Sequence, residues 1–275
     1  MPLRGILLMA ALLMLILGLA AAAGYQTLAR RSRAGFRGPS PFVLFALQLV
    51  LVNTVSLVLI ALGLDLERTG PGFLLAAVVL FLGYVLVVWT FGVRTGAVSL
   101  ADMGVPRRPG LDKIATDLLG GAGLMLLVAL VASLLGGIVA RLIDTTAPEV
   151  VPLPTSGIDV VFVMLAAVVL IPIGEELLFR GYSIPGWTRD LGARAALLRS
   201  TVFFALVHII TINTPTFFEG AKQALLVLLV IGPVGFALGW LFVRRGLIAA
   251  IAGHAAFNLF GVLIMILAQN LPVQN

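Results

Sequence analysis

Two adjacent carboxylates, Glu175 and Glu176, close the apolar run LAAVVLIPI, and Arg180 follows Glu176 by four residues. Each carboxylate at the centre of a membrane helix costs roughly 2.5–3.5 kcal/mol on insertion scales, so a bare pair demands a reason. The chain has two histidines, His208 in STVFFALVHIITIN and His254 in AAIAGHAAFNLFG, and both sit in apolar surroundings. Asn258 lies four residues after His254, on the same face of a helix, and Glu176 precedes Arg180 in the order that favours an ion pair. A carboxylate beside an imidazole can take a proton from water, and a second imidazole with a carboxamide can donate to a developing oxyanion. Together these groups suit attack of water on an amide or ester carbonyl. The chain has no cysteine and no G-x-S-x-G, which disfavours a covalent acyl intermediate. Zinc held by Glu175, His208 and His254 with a water is a second use of the same atoms, although H-E-x-x-H is absent. Intramembrane Glu and His also serve proton-coupled transport, and a scaffold or immunity protein could retain the residues without catalysis.

The elements that must carry these groups are membrane spans. Of 275 residues, 61% are hydrophobic and 11% are charged, far from the soluble range. Apolar runs of spanning length recur along the whole chain, so the expected fold is all-α and polytopic. Eight spans can be drawn at about 5–24, 41–63, 73–93, 115–139, 158–179, 196–212, 223–243 and 247–269. They form a single transmembrane domain over 1–275, with the first three spans in 1–114 and the motif-bearing core in 115–275. One set of alternate loops carries 14 of the 18 basic residues, among them Arg30, Arg31, Arg33, Arg37, Arg94, Arg107, Arg108, Lys113, Arg180 and Arg189. The other set carries Arg4, Arg68, Arg141 and Lys222. The positive-inside rule then places both termini outside. It also reads the net charge of +6 as a membrane-orientation signal, with no nucleic-acid partner. The first span has the look of a signal peptide, but the arginines after it favour a retained helix. With Arg180 as the cytoplasmic end of the fifth span, Glu175 lies roughly 7–8 Å in; His208, counted from Arg199, and His254, counted from Arg245, each lie roughly 13–14 Å in. All three would converge in the cytoplasmic half of the bilayer. Asn53, Thr54 and Ser56 are expected to bond to neighbouring helices, Asp117 and Asp159 to sit where water reaches, and Gly232, Gly235 and Gly239 to allow close packing.

Glu175-Glu176-x-x-x-Arg180, Phe204-x-x-x-His208 and His254-x-x-x-Asn258, in that order on three late spans, resemble the three motifs of the CPBP (CAAX protease and bacteriocin-processing, or Abi) intramembrane proteases, related to the CAAX prenyl endopeptidases. The resemblance covers about 158–262, and SLADMGVPRR is similar to a segment often found upstream of that core. It implies an all-helical core in the lipid bilayer and peptide-bond hydrolysis near its cytoplasmic face, of a membrane-associated peptide or protein presented from the cytoplasmic side. Glu175 would activate water with help from His208, His254 and Asn258 would stabilise the oxyanion, and Glu176, Arg180 and Phe204 would support the site. The family has been described as glutamate-type and as metal-dependent. Asn258 reads more naturally as an oxyanion donor than as a ligand, which favours the glutamate-type mechanism with no cofactor. The short, arginine-rich chain looks bacterial, so a cell inner-membrane location is expected, with the termini on the periplasmic side.

Overall fold

In the computed structural model the described residues are 3–31, 35–66, 70–105, 110–148, 151–210 and 212–269. Arg33, Arg68, Arg107 and Arg108, and the side chains of Arg4, Arg30 and Arg31, lie outside what is described. The architecture is all-helical: α1 Leu3–Arg31, α2 Pro41–Ala61, α3 Gly70–Val93, α4 Leu111–Leu142, α5 Gly157–Leu191, α6 Ala193–Ile209, α7 Phe217–Arg245 and α8 Leu247–Gln269. Six of these, α2 to α5 with α7 and α8, are long and apolar enough to cross a membrane, and the chain is a polytopic membrane protein. The two others complete the eight expected helices: α1, whose continuously described apolar stretch is Gly5–Ala21, and α6, which has 17 residues with Arg194 and Arg199 in its first two turns. At 1.5 Å per residue α6 reaches only about 25 Å. Large apolar side chains such as Leu82, Leu127, Leu134 and Leu229 point outward, as a surface facing lipid requires.

Local chemistry sets the helix ends. The Thr216 hydroxyl accepts from the Glu219 N–H and starts α7, and Ser156 does the same for Asp159 at the start of α5. Between α7 and α8 the break is Gly246, at φ +95°. A Cβ there would run into the carbonyl oxygen of Gly104, itself at φ +70°, so the α3–α4 loop and the α7–α8 turn touch backbone to backbone.

Contacts sort the loops onto two opposite ends. Phe36 N–H donates to Asp190, Arg189 donates to the Ala97 carbonyl and pairs with Asp102, and Arg245 donates to the Thr116 carbonyl. These contacts gather the α1–α2, α3–α4, α5–α6 and α7–α8 connections on one end, the end expected to be basic. On the other end, Lys222 at the start of α7 donates to the Asp144 carbonyl after α4.

Several polar residues depart from expectation. Arg180 does not mark the end of a span: α5 continues to Leu191 and Arg180 is fully buried inside it, leaving 13 basic residues for that end against four. The depth of Glu175 measured from Arg180 therefore does not hold. Asn53 donates to the Leu49 carbonyl of its own helix. Asp117 and Asp159 are buried; Lys113 and Arg245 pair with the first, and Thr155 and Ser156 hydrogen-bond to the second. Gly235 and Gly239 pack against Phe204 and Leu197, while Gly232 faces open space.

Helix α5 is the irregular element. Its segments Met164–Leu170 and Leu177–Tyr182 are π-helical, and only the six residues Ile171–Glu176 between them are α-helical. Pro172 lacks the N–H an α-turn would use, and the wider turn lies directly before it. The second widened turn follows Glu176 and carries Arg180 back over that carboxylate.

Candidate active site

Close packing seats α8 against α4 and α7, and α5 against α3. Gly121 of α4 lies against the Ala249 backbone, and Gly253 of α8 nests between Met125 and Leu241, which fixes the neighbouring His254 in depth and rotation. Gly174 lets the Tyr84 ring approach, since a Cβ would meet it at 2.9 Å, and this wedges the Glu175 turn against α3.

The core of the site is a buried polar cluster. Arg180 Nη1 donates to Glu176 Oε1 at 2.6 Å, both side chains being fully enclosed. Arg180 Nη2 donates to the Gly235 carbonyl at 3.1 Å, and the guanidinium lies 4.1 Å from the Phe204 ring centroid. His254 Nδ1 lies 2.8 Å from the same Glu176 oxygen, and because a carboxylate only accepts, Nδ1 carries the proton. The other His254 nitrogen, Nε2, faces Glu175 Oε2 at 3.8 Å, beyond a direct hydrogen bond. Phe204 stacks edge-on to His254 and tilted against His208, with centroids at 5.8 and 4.4 Å.

His208 Nδ1 donates to the Phe204 carbonyl at 2.7 Å, which leaves Nε2 as the acceptor nitrogen of the neutral ring. Asn258 Nδ2 donates to the Ala167 carbonyl at 2.7 Å; this fixes the carboxamide and leaves its second N–H to be used elsewhere. Glu175, His208, His254 and Asn258 all line one cavity of 570 Å³ together with Phe204. All seven residues singled out in the sequence thus fall in or directly behind one site. The expected pairing of Glu175 with His208 differs in detail. The imidazole beside Glu175 is His254, and His208 stands on the α6 wall of the same cavity.

Three contributors are silent in the sequence. Two are backbone carbonyls, Gly235 and Ala167, which carry no side-chain signal. The third is the α4–α5 connection, which supplies Ala147, Pro148, Val151 and Leu153 to the cavity wall. Among the described residues no group of three His, Asp or Glu side chains is arranged to hold a metal ion. His254 and His208 each commit Nδ1 to a protein acceptor, so Nε2 is the nitrogen of each ring that a metal would take.

Residues 157–260 match the family model described as type II CAAX prenyl endopeptidase Rce1-like. The match covers α5, α6, α7 and more than half of α8, close to the 158–262 that the motifs span, and it shows the motif-bearing part of the chain to be similar to the CAAX-type intramembrane proteases. Comparison with curated proteins and with solved structures gave no match.

Proposed function

We propose, from the match of residues 157–260 to the type II CAAX prenyl endopeptidases, that the chain is an intramembrane endopeptidase that hydrolyses a peptide bond of a membrane-associated peptide or protein with Glu175-activated water. The observation that carries this reading is the convergence of Glu175, His208, His254 and Asn258, from three separate helices, on one cavity.

Charge balance assigns the protons. Glu176 and Arg180 neutralise each other in a site with no exposure to solvent. Glu175 and His254 face each other at 3.8 Å beside that sealed pair, where opposite charges on the two would offset each other. The catalytic arrangement is the ionised pair, with Glu175 as carboxylate and His254 as imidazolium. His254 then donates to Glu176 through Nδ1 and presents its Nε2–H to the cavity. A water held between Glu175 and the acceptor Nε2 of His208 would lose its proton as it attacks the carbonyl. The oxyanion would take hydrogen bonds from His254 Nε2–H and the second Asn258 N–H. The proton taken from water would then pass to the leaving amine. Glu176, Arg180 and the Gly235 carbonyl position the imidazole and do not touch the reacting atoms.

Glu175→Gln keeps the shape of the side chain and removes the base. Cleavage of a substrate peptide in proteoliposomes should fall about 10²–10⁴-fold or more, the contribution expected of a positioned general base. Unchanged cleavage by a Glu175→Gln protein that inserts and purifies normally would rule the mechanism out. Asn258→Ala should lower kcat by about 10²–10³-fold, with little change in KM, as loss of one oxyanion donor does.

A further inference from the structure

We infer that the active-site cavity opens away from the basic loops, so that the substrate segment is cut on the extracytoplasmic side of the membrane. This rests on the protease reading for what enters the cavity, while the direction of opening rests on the structure and the charge distribution.

Along each site helix, the residues from the catalytic group towards the basic end are sealed core, whereas the cavity lies on the other side of that group, where Ala167, Val234 and Val262 are well packed but still line it. On α5, Leu178, Phe179, Tyr182 and Trp187 run from the site towards the basic end, all at 0% exposure. Ala167 and Ile171, towards the opposite end, line the cavity. On α6, Phe203 is core before the site and His208 sits in the last turn, at the far end. On α8, Leu247, Ala249 and Ala250 are buried before His254, whereas Gly261, Val262 and Met265 beyond it are wall. On α7, Leu238, Leu241 and Phe242 are core, while Ile231 and Val234 are wall. The buried aromatics form one cluster with Phe36, Met103 and Tyr84, and that cluster plugs the molecule beneath the loops bearing Arg37, Arg189 and Arg194. At the other end the rim is Ala147, Pro148 and Leu153, in the connection that meets Lys222.

Orientation then decides which compartment the rim faces. With Arg180 removed from the count, the loops of the plugged end still carry 13 basic residues against four at the rim end. The positive-inside rule places the plugged end in the cytoplasm. The expectation of a substrate presented from the cytoplasm is therefore replaced: water and substrate reach Glu175 from outside. Apart from the four site residues the walls are apolar, so the substrate is a membrane-anchored polypeptide with apolar residues flanking a bond near its extracytoplasmic border.

The chain contains no cysteine, so single cysteines report without background. Leu153→Cys at the rim, Gly261→Cys on the wall (where a Cβ meets open space) and Leu100→Cys at the plugged end are probed in intact cells with a membrane-impermeant maleimide. The first two should label before permeabilisation and Leu100→Cys only after it. The reverse pattern would overturn the proposal. In parallel, two membrane-anchored reporters display the same apolar segment outside or inside. Glu175-dependent cleavage confined to the outer reporter supports the inference, and cleavage confined to the inner one refutes it. If neither reporter is cut in a Glu175-dependent way, the protease reading fails, and the labelling still decides which way the cavity opens.

Discussion

At the scale of single residues, the carboxylate pair divides into two different groups. Glu175 faces the cavity, whereas Glu176 is sealed behind it and accepts from both Arg180 and His254. Removing Arg180 leaves a buried carboxylate without its counter-charge, which costs about 3–5 kcal/mol. Arg180→Ala should therefore lower the thermal unfolding temperature in detergent sharply, and Glu175→Gln should not. Equal melting curves for wild type and Arg180→Ala would show that the buried pair is not structural. Residue types and i, i+4 spacings made the Glu176–Arg180 pair and the shared face of His254 and Asn258 readable in the sequence. Which imidazole stands beside Glu175 was not readable, because that depends on how α8 rotates against α5. The rotation is set by the close approach of Gly253 and Gly121, which the sequence offers only as two glycines among 30.

At the scale of elements, the α3–α4 loop is clasped to the end of α5. Ser99 gives its N–H and hydroxyl to Asp102 Oδ2, both at 2.8 Å, and Arg189 adds an ion pair at 3.0 Å. Partial burial pushes the Asp102 carboxyl up, but the two Ser99 bonds and Arg189 together outweigh it and hold the group below its ordinary value of 3.8. A folded value below the unfolded one means the unfolded chain binds the proton first as pH falls. The clasp's contribution is thus complete above the ordinary value and disappears as pH drops through the lowered one. Asp102→Asn should lower the melting temperature at neutral pH, with the gap from wild type closing over that acid range. A gap that stayed constant with pH would mean that Asp102 acts through shape alone. Apolar runs located the helices but not all of their ends, since the fifth span was expected to stop at 179 and α5 runs to Leu191, and they did not show the π-helical turns of α5. Periodicity over two short widened turns is too brief to separate from an α-helix, and Pro172 is the one local sign of them. The same irregularity explains why Arg180 looked like the end of a span: arginine at the end of an apolar run usually snorkels, and here the widened turn carries it inward instead.

At the scale of the whole molecule, the alternation of basic loops was legible because loop charge needs no tertiary information, and the contacts at the two ends reproduce that alternation. The direction of the cavity was not legible, since it depends on which side of each catalytic residue is packed. The helices contribute unequally to that packing. α2, α3 and α5 to α8 supply the central aromatic and aliphatic cluster, whereas α1 packs along α2, with Gly18 against Val50, and turns Leu12, Leu13 and Ile16 outward. Among the described residues none of α1 lines the active-site cavity. A chain starting at Gly35 would keep every basic loop on its own side, with only its N-terminus moved to the basic end. The basic residues of the later loops still outnumber those at the rim end, so insertion should proceed in the same orientation. This shortened protein should accordingly retain Glu175-dependent cleavage and the labelling pattern of Leu153→Cys. Loss of both in a protein that still reaches the membrane would show that α1 is needed to seat α2 against the catalytic helices.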